Sequence, residues 1–163
     1  MDRERYLRVV LAEMKRYRRD QVALIISLDR RMNVDVVRDC VRIALQLKTE
    51  GERVVGIDLC GDPTVGDMKE FLPCVVKAKK AGLGVTLHIA EVWLDVIELV
   101  FLPYYLLMQT VQNTPEEALK LLSCLPDRLG HATFLTEDAI STVLEKKICI
   151  EICLSSNLLY VSQ

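Results

Sequence analysis

The sequence predicts an α/β fold built around a parallel sheet, and three observations predict it. Short apolar runs of strand type alternate with stretches of helical periodicity, the pattern of βα units. Cap and stop residues fall between them. Polar residues gather after the apolar runs, at the carboxyl ends of strands, where the loops of a parallel architecture converge on one face. A length of 163 residues suits a single domain over 1–163, and a composition of 51% hydrophobic and 27% charged residues, with 7 Gly and 5 Pro, suits a packed core without a long linker.

Leu7, Val10, Leu11 and Met14 stand at helical spacing, and Val22 to Leu28 (VALIISL) then reads as a continuous buried strand ending at Asp29. Asn33 caps a helix carrying Val36, Val37, Cys40, Val41, Ala44 and Leu47, which Gly51 stops. VVGIDL is the second strand, VVKAKKAG a helix ending at Gly82, and VTLHIA the third strand. Thr114, Pro115 and Glu117 form a capping box for EEALKLL, which precedes the short strand RLGH. Thr136 starts another helix, and ICIEICL is the last strand.

A net charge of −2 provides no general attraction for nucleic acid, and the excess of 7 basic over 3 acidic residues in the first 19 reads as the wet face of a helix. Six cysteines form no C-x-x-C pair and no signal peptide opens the chain, so reduced thiols and a cytoplasmic setting are expected. Five strand ends carry polar groups: Asp29, Asp58 to Asp62, His88 with Glu91, His131, and Ser155 to Asn157. Each has a plainer reading. His88 suits a satisfied core histidine, Glu91 a solvated loop acid, and Cys149, Glu151 and Cys153 share one face of a strand, where buried free thiols are favoured over a metal site. Asp58 to Asp62 would suit Mg2+ in a flavodoxin-like open parallel sheet, the alternative fold.

GIDLCGDP, HIAE and RLGHA, in that order and followed by EICLSSN, together with SLDRR, resemble the adenosine deaminase family, most closely its adenosine deaminase-like branch associated with N6-methyl-AMP. The resemblance implies a (β/α)8 TIM barrel with Zn2+ at its carboxyl-end mouth and hydrolytic deamination of a purine nucleoside or nucleotide. His88 then corresponds to a metal ligand, Glu91 to the proton donor at purine N1, His131 to the residue that orients and deprotonates the attacking water, and Gly61 to the glycine whose backbone N–H meets purine N3. The residue types suit the work. Zinc lowers the pKa of water from about 15.7 to about 7, imidazole titrates near neutrality, a desolvated pocket favours a neutral carboxyl that can donate, and a glycine lets a ring approach its backbone.

The sequence departs from that family in two motifs. It has two histidines in all and so no H-x-H, and it carries no Asp-Asp pair. His88 alone is carried over, where a catalytic zinc takes three protein ligands. A full barrel takes about 250 residues, so the expectation is an incomplete barrel of about strands 3–7, truncated at both ends, with open sheet edges for association. Two functions follow: the family's aminohydrolase reaction, or a catalytically incompetent isoform that binds or interacts. Residues 92–111, with 15 of 20 apolar, look inserted against the family. Asp95, Glu98 and Pro103 weigh against a membrane span, since each central acid costs about 2.5–3.5 kcal/mol, which leaves a buried or partner-seeking helix or an unselected excursion.

Overall fold

The computed structural model describes residues 2–62, 65–91 and 114–155. Its elements alternate as the periodicity requires: α1 (Arg3–Met14), β1 (Leu24–Asp29), α2 (Val34–Thr49), β2 (Val54–Cys60), a single 3-10 turn at Met68–Glu70, α3 (Leu72–Lys80), β3 (Gly84–Ile89), α4 (Pro115–Leu122), β4 (Arg128–His131), α5 (Glu137–Lys146) and β5 (Cys149–Glu151). All strand pairs are parallel, and the order in space is the order in sequence, β1-β2-β3-β4-β5. A flavodoxin-like sheet would run 2-1-3-4-5, so the alternative fold is excluded and the sheet is an arc of the barrel type.

The cap residues act as their chemistry dictates. Asn33 accepts a hydrogen bond from the Val36 amide, Thr114 from that of Glu117 and Thr136 from that of Ala139, each satisfying an orphan N–H of a first helical turn. Gly51 and Gly82 leave α2 and α3 with φ of +80° and +78°. The Thr114 box has an added feature. Glu117 turns its carboxylate inward, where Oε1 meets Arg30 Nη2 at 2.9 Å with the two side chains 2% and 1% exposed. Joining residues 87 apart in sequence, this pair pins α4 to the loop after β1.

The core lies between the sheet and its helices. Val37, Val41, Ala44 and Leu47 of α2 are buried against Leu28, Ile57 and Leu59, with Val75 and Ala78 of α3 continuing the layer. Each fully buried Leu or Val contributes about 1.5–3 kcal/mol. Met68 and Phe71 close the layer beside α3. Two expectations need correction. Strand β1 is not buried on both faces: Ile26 and Leu28 are 6% and 0% exposed, whereas Ile25 is 37% exposed, because alternate residues point away from the helix layer. The last strand is shorter than ICIEICL, since its pairing with β4 runs only from Cys149 to Glu151. The apolar segment 92–111 lies outside the described residues. Among the described residues no helix is long and apolar enough to cross a membrane.

A buried ion pair broken on one side leaves an uncompensated charge, a loss of about 3–5 kcal/mol. Glu117→Gln should therefore lower the urea unfolding free energy by that amount, while Arg30→Met combined with Glu117→Leu should cost less than the two single changes added together. Additive losses in this double-mutant cycle would show that the contact carries no coupling.

Candidate functional site

Strand register builds the site. Asp58 pairs with Thr86, His88 with Gly130, and Gly130 with Glu151, and the two-residue period puts these side chains on the face away from the helices. Leu59, Leu87, Ile89 and Leu129 take the other face and are 0–2% exposed. A row of polar residues thus crosses the sheet near its carboxyl ends, over an apolar layer that fixes the strands beneath it.

His88 is held at one ring nitrogen. Nδ1 lies 2.9 Å from Asp58 Oδ1 and 3.2 Å from the Leu59 carbonyl oxygen. Both neighbours only accept, so Nδ1 carries the hydrogen and the neutral ring keeps its lone pair on Nε2. The bond to Asp58 raises the His88 pKa above its ordinary value, against an opposing effect of burial. The ring lies across Gly130, where a Cβ would come within 2.3 Å of His88 Cδ2. Glycine there is a requirement of close approach. A carboxylate behind one imidazole nitrogen with a lone pair on the other is the arrangement of metal-ligating histidines, so His88 fits the zinc-ligand role that the family resemblance implies.

His131 and Glu91 reach the same place by a different device. By alternation His131 follows Leu129 onto the helix-facing side, and Glu91 follows Ile89 likewise. Yet the His131 ring meets the His88 ring edge-on, centroids 5.4 Å apart and planes at 67°, and His131 Nε2 is 3.3 Å from Glu91 Oε1. The backbone explains the change of face. His131 has φ +61°, Ala132 +52° and Ala90 +51°, a left-handed region that residues bearing a Cβ enter at a cost of about 1–2 kcal/mol. The strain is held by hydrogen bonds: the Ala132 amide donates to the carbonyls of Ile89 and Gly130, and the amides of Thr133 and Phe134 donate to that of Ala90. Left-handed residues at both strand ends re-aim the two polar side chains toward His88.

Of the four residues singled out from sequence, His88, Glu91 and His131 are brought together. Gly61 follows the neighbouring strand β2 with φ +102°, packed so that a Cβ there would lie 2.8 Å from Asp29 Oδ1. Asp29 accepts from the Arg31 amide and guanidinium, and those bonds hold its carboxyl down at about 2. Sequence reasoning placed Asp58 only within a possible Mg2+ cluster and gave no role to Gly130. It favoured buried structural thiols for Cys149 and Cys153. Cys149 is instead exposed, and Cys153 Sγ lies with His88 and His131, the three donor atoms all within 4.8 Å of one another. The parity of β2 and β3 was a usable signal for Asp58, while the alternation that set Cys153 on one strand face with Cys149 and Glu151 overran β5, which ends at Glu151.

No family model matches the chain. It is 35% identical over 170 residues to mouse N6-methyl-AMP deaminase, an alignment taking in 97% of this chain and 42% of that protein. The crystal structure of Arabidopsis N6-mAMP deaminase superposes with a TM-score of 0.78 at 29% identity, over 100% of this chain and 45% of that one. The chain is similar over nearly all of its own length to N6-methyl-AMP deaminases of the adenosine deaminase-like kind. It spans about two fifths of the length of the curated relatives it matches, and the arc of five parallel strands corresponds to part of the family's barrel. Arabidopsis ADAL solved with IMP superposes on this chain with a TM-score of 0.76 at 28% identity, over 100% of this chain and 44% of that one.

Two outcomes test this geometry. Ala132→Gly should leave stability unchanged or raise it by up to about 1 kcal/mol, because glycine relieves the left-handed strain, whereas Ala139→Gly on α5 should cost about 1 kcal/mol or more. Equal losses in urea melts would remove the strain argument. For Asp29, whose carboxyl is lowered in the folded state, the stabilising contribution is present above its ordinary value of 3.8 and fades as pH falls toward about 2. Arg31→Ala should return the Asp29 carboxyl toward 3.8 in a carbon-13 titration and remove its share of the stability lost at acid pH.

Proposed function

We propose that these residues are the proton-transfer part of a purine nucleotide deaminase site, acting on a 6-amino or N6-methylamino purine nucleotide. The observation that carries the reading is the joining of Glu91 and His131 at 3.3 Å beside His88 at the strand ends. Glu91, as a neutral carboxyl, donates its proton to purine N1, which opens C6 to attack. His131 takes a proton from the attacking water and returns it to the departing amine. The water oxygen becomes the 6-oxo group as its second proton passes back to the Glu91 carboxylate, so N6-methyl-AMP and water give IMP and methylamine, and AMP and water give IMP and ammonia. IMP is the ligand in one of the similar Arabidopsis structures.

His88 is the residue that would hold Zn2+. When bound, that ion supplies the Lewis acidity that turns water into a nucleophile near neutral pH. Asp58 orients His88 and keeps the right nitrogen available. The Gly61 amide, at the end of the adjacent strand, is assigned to purine N3. Six free cysteines support residence in a reducing compartment such as the cytoplasm. A second reading, a non-catalytic nucleotide binder, is favoured by a histidine count of two, one short of what a zinc site built from three histidines requires.

The test is the zinc-supplemented chain with N6-methyl-AMP, with amine release measured beside IMP binding. Methylamine release that falls by about 10²–10⁴-fold in Glu91→Gln and His131→Asn supports the deaminase reading, that being the range for a general acid or base. Saturable IMP binding without release assigns the binding role. Neither binding nor release overturns both readings.

A further inference from the structure

We propose that this chain holds one Zn2+ ion through a ring nitrogen of His88, a ring nitrogen of His131 and the Sγ of Cys153. The proposal rests on the reading of His88 as the zinc ligand, the one ligand that the family resemblance carries over, and adds two further ligands from this chain's own geometry. The three donor atoms lie within 4.8 Å of one another. A tetrahedral zinc with ligand bonds of about 2.0–2.3 Å spaces its donors about 3.3–3.8 Å apart, so closing their separations by up to about 1.5 Å brings them into place. The surroundings favour that adjustment. His88 already points its lone-pair nitrogen away from Asp58, the outer carboxylate that raises ligand basicity and fixes the ring. The edge-on contact of the two rings brings the imidazoles side by side without stacking them face to face. Cys153 gives its hydrogen to the Glu151 carbonyl over 3.6 Å, a weak bond that is readily given up.

The donor set selects the ion. Two imidazoles and a thiolate suit Zn2+ and its close analogue Co2+, and disfavour Mg2+ and Ca2+, which require oxygen. On binding, Cys153 forms an S–Zn bond and its thiol proton leaves to solvent. Three protein ligands leave the fourth tetrahedral position open. Zinc bound this way engages His131, which the proposed function assigns to proton transfer, so metal capture and deamination make separate demands on one ring and are measured separately.

Titration of the reduced full chain with Co2+ tests the site. The expected result is one Co2+ per chain, with intense tetrahedral visible bands and a thiolate-to-cobalt charge-transfer band in the near ultraviolet, all displaced by Zn2+. Cys153→Ser should lose the charge-transfer band, His131→Gln should lose tight binding, and Asp58→Asn should weaken binding by about 10–100-fold. Cys149→Ser, on β5 and exposed, should change nothing. A measurement that needs no variant runs beside it: Zn2+ should protect Cys153 from iodoacetamide, as read by mass spectrometry, and leave Cys149 reactive. Absence of the charge-transfer band in the natural sequence, its persistence in Cys153→Ser, or alkylation of Cys153 unaffected by Zn2+ would each overturn the proposal. IMP binding without cobalt binding would sink this site and leave the nucleotide-binding reading standing, and cobalt binding without nucleotide binding would support this site and sink both readings of the proposed function.

Discussion

The close approach of the His88 ring to the backbone of Gly130 is the constraint on which the site depends. The two residues are register partners on β3 and β4, and any side chain at position 130 would collide with the ring. With that space kept open, His88 lies flat across the next strand, its Nδ1 reaches back one strand to Asp58, and its other edge faces forward to His131. One glycine therefore sets the orientation of the imidazole and, through it, the nitrogen that is available for chemistry. The apolar layer beneath makes the arrangement rigid. Leu59, Leu87 and Leu129 carry no exposure to speak of, so a shift in register would expose all three at once.

Strain completes what register begins. Regular strands would send Glu91 and His131 into the helix layer, where a carboxylate and an imidazole would have to be desolvated among leucines. Left-handed conformations at Ala90, His131 and Ala132 turn them back toward the mouth. The cost is carried by the hydrogen bonds that tie the ends of β3 and β4 together and by the core below. Farther off, the buried Arg30–Glu117 pair secures α4 to the loop after β1, which fixes the helix that leads into β4. Stability and site geometry are thus linked through the same few strand ends.

Much of this was legible in the sequence because it follows from period and cap. The alternation of Val85, Leu87 and Ile89 with Thr86 and His88 announced a strand with one polar face, and Asn33, Thr114 and Thr136 marked helix starts. The ordered motifs of the family implied a barrel arc, with the flavodoxin-like strand order as the alternative that the sheet itself excludes. Three things escaped because they depend on distance in space. Nothing local says that Asp58 and His88, on adjacent strands, are paired. Nothing in LGH says that the histidine sits at positive φ, since β-type alternation is the default reading of such a run. Glu117 looked like half of a capping box, and its inward turn to Arg30 depends on a partner 87 residues away.

The central claim is that His88 and His131, distant in sequence, form one edge-on pair with the Nδ1–H of His88 directed at Asp58. The chain has only these two histidines, so imidazole NMR on the metal-free protein addresses it without ambiguity. The account predicts a nuclear Overhauser contact between the two rings, and nitrogen-15 shifts that show His88 protonated at Nδ1 when neutral, with that signature lost in Asp58→Asn. Two rings without mutual contact, or a His88 protonated at Nε2, would contradict it.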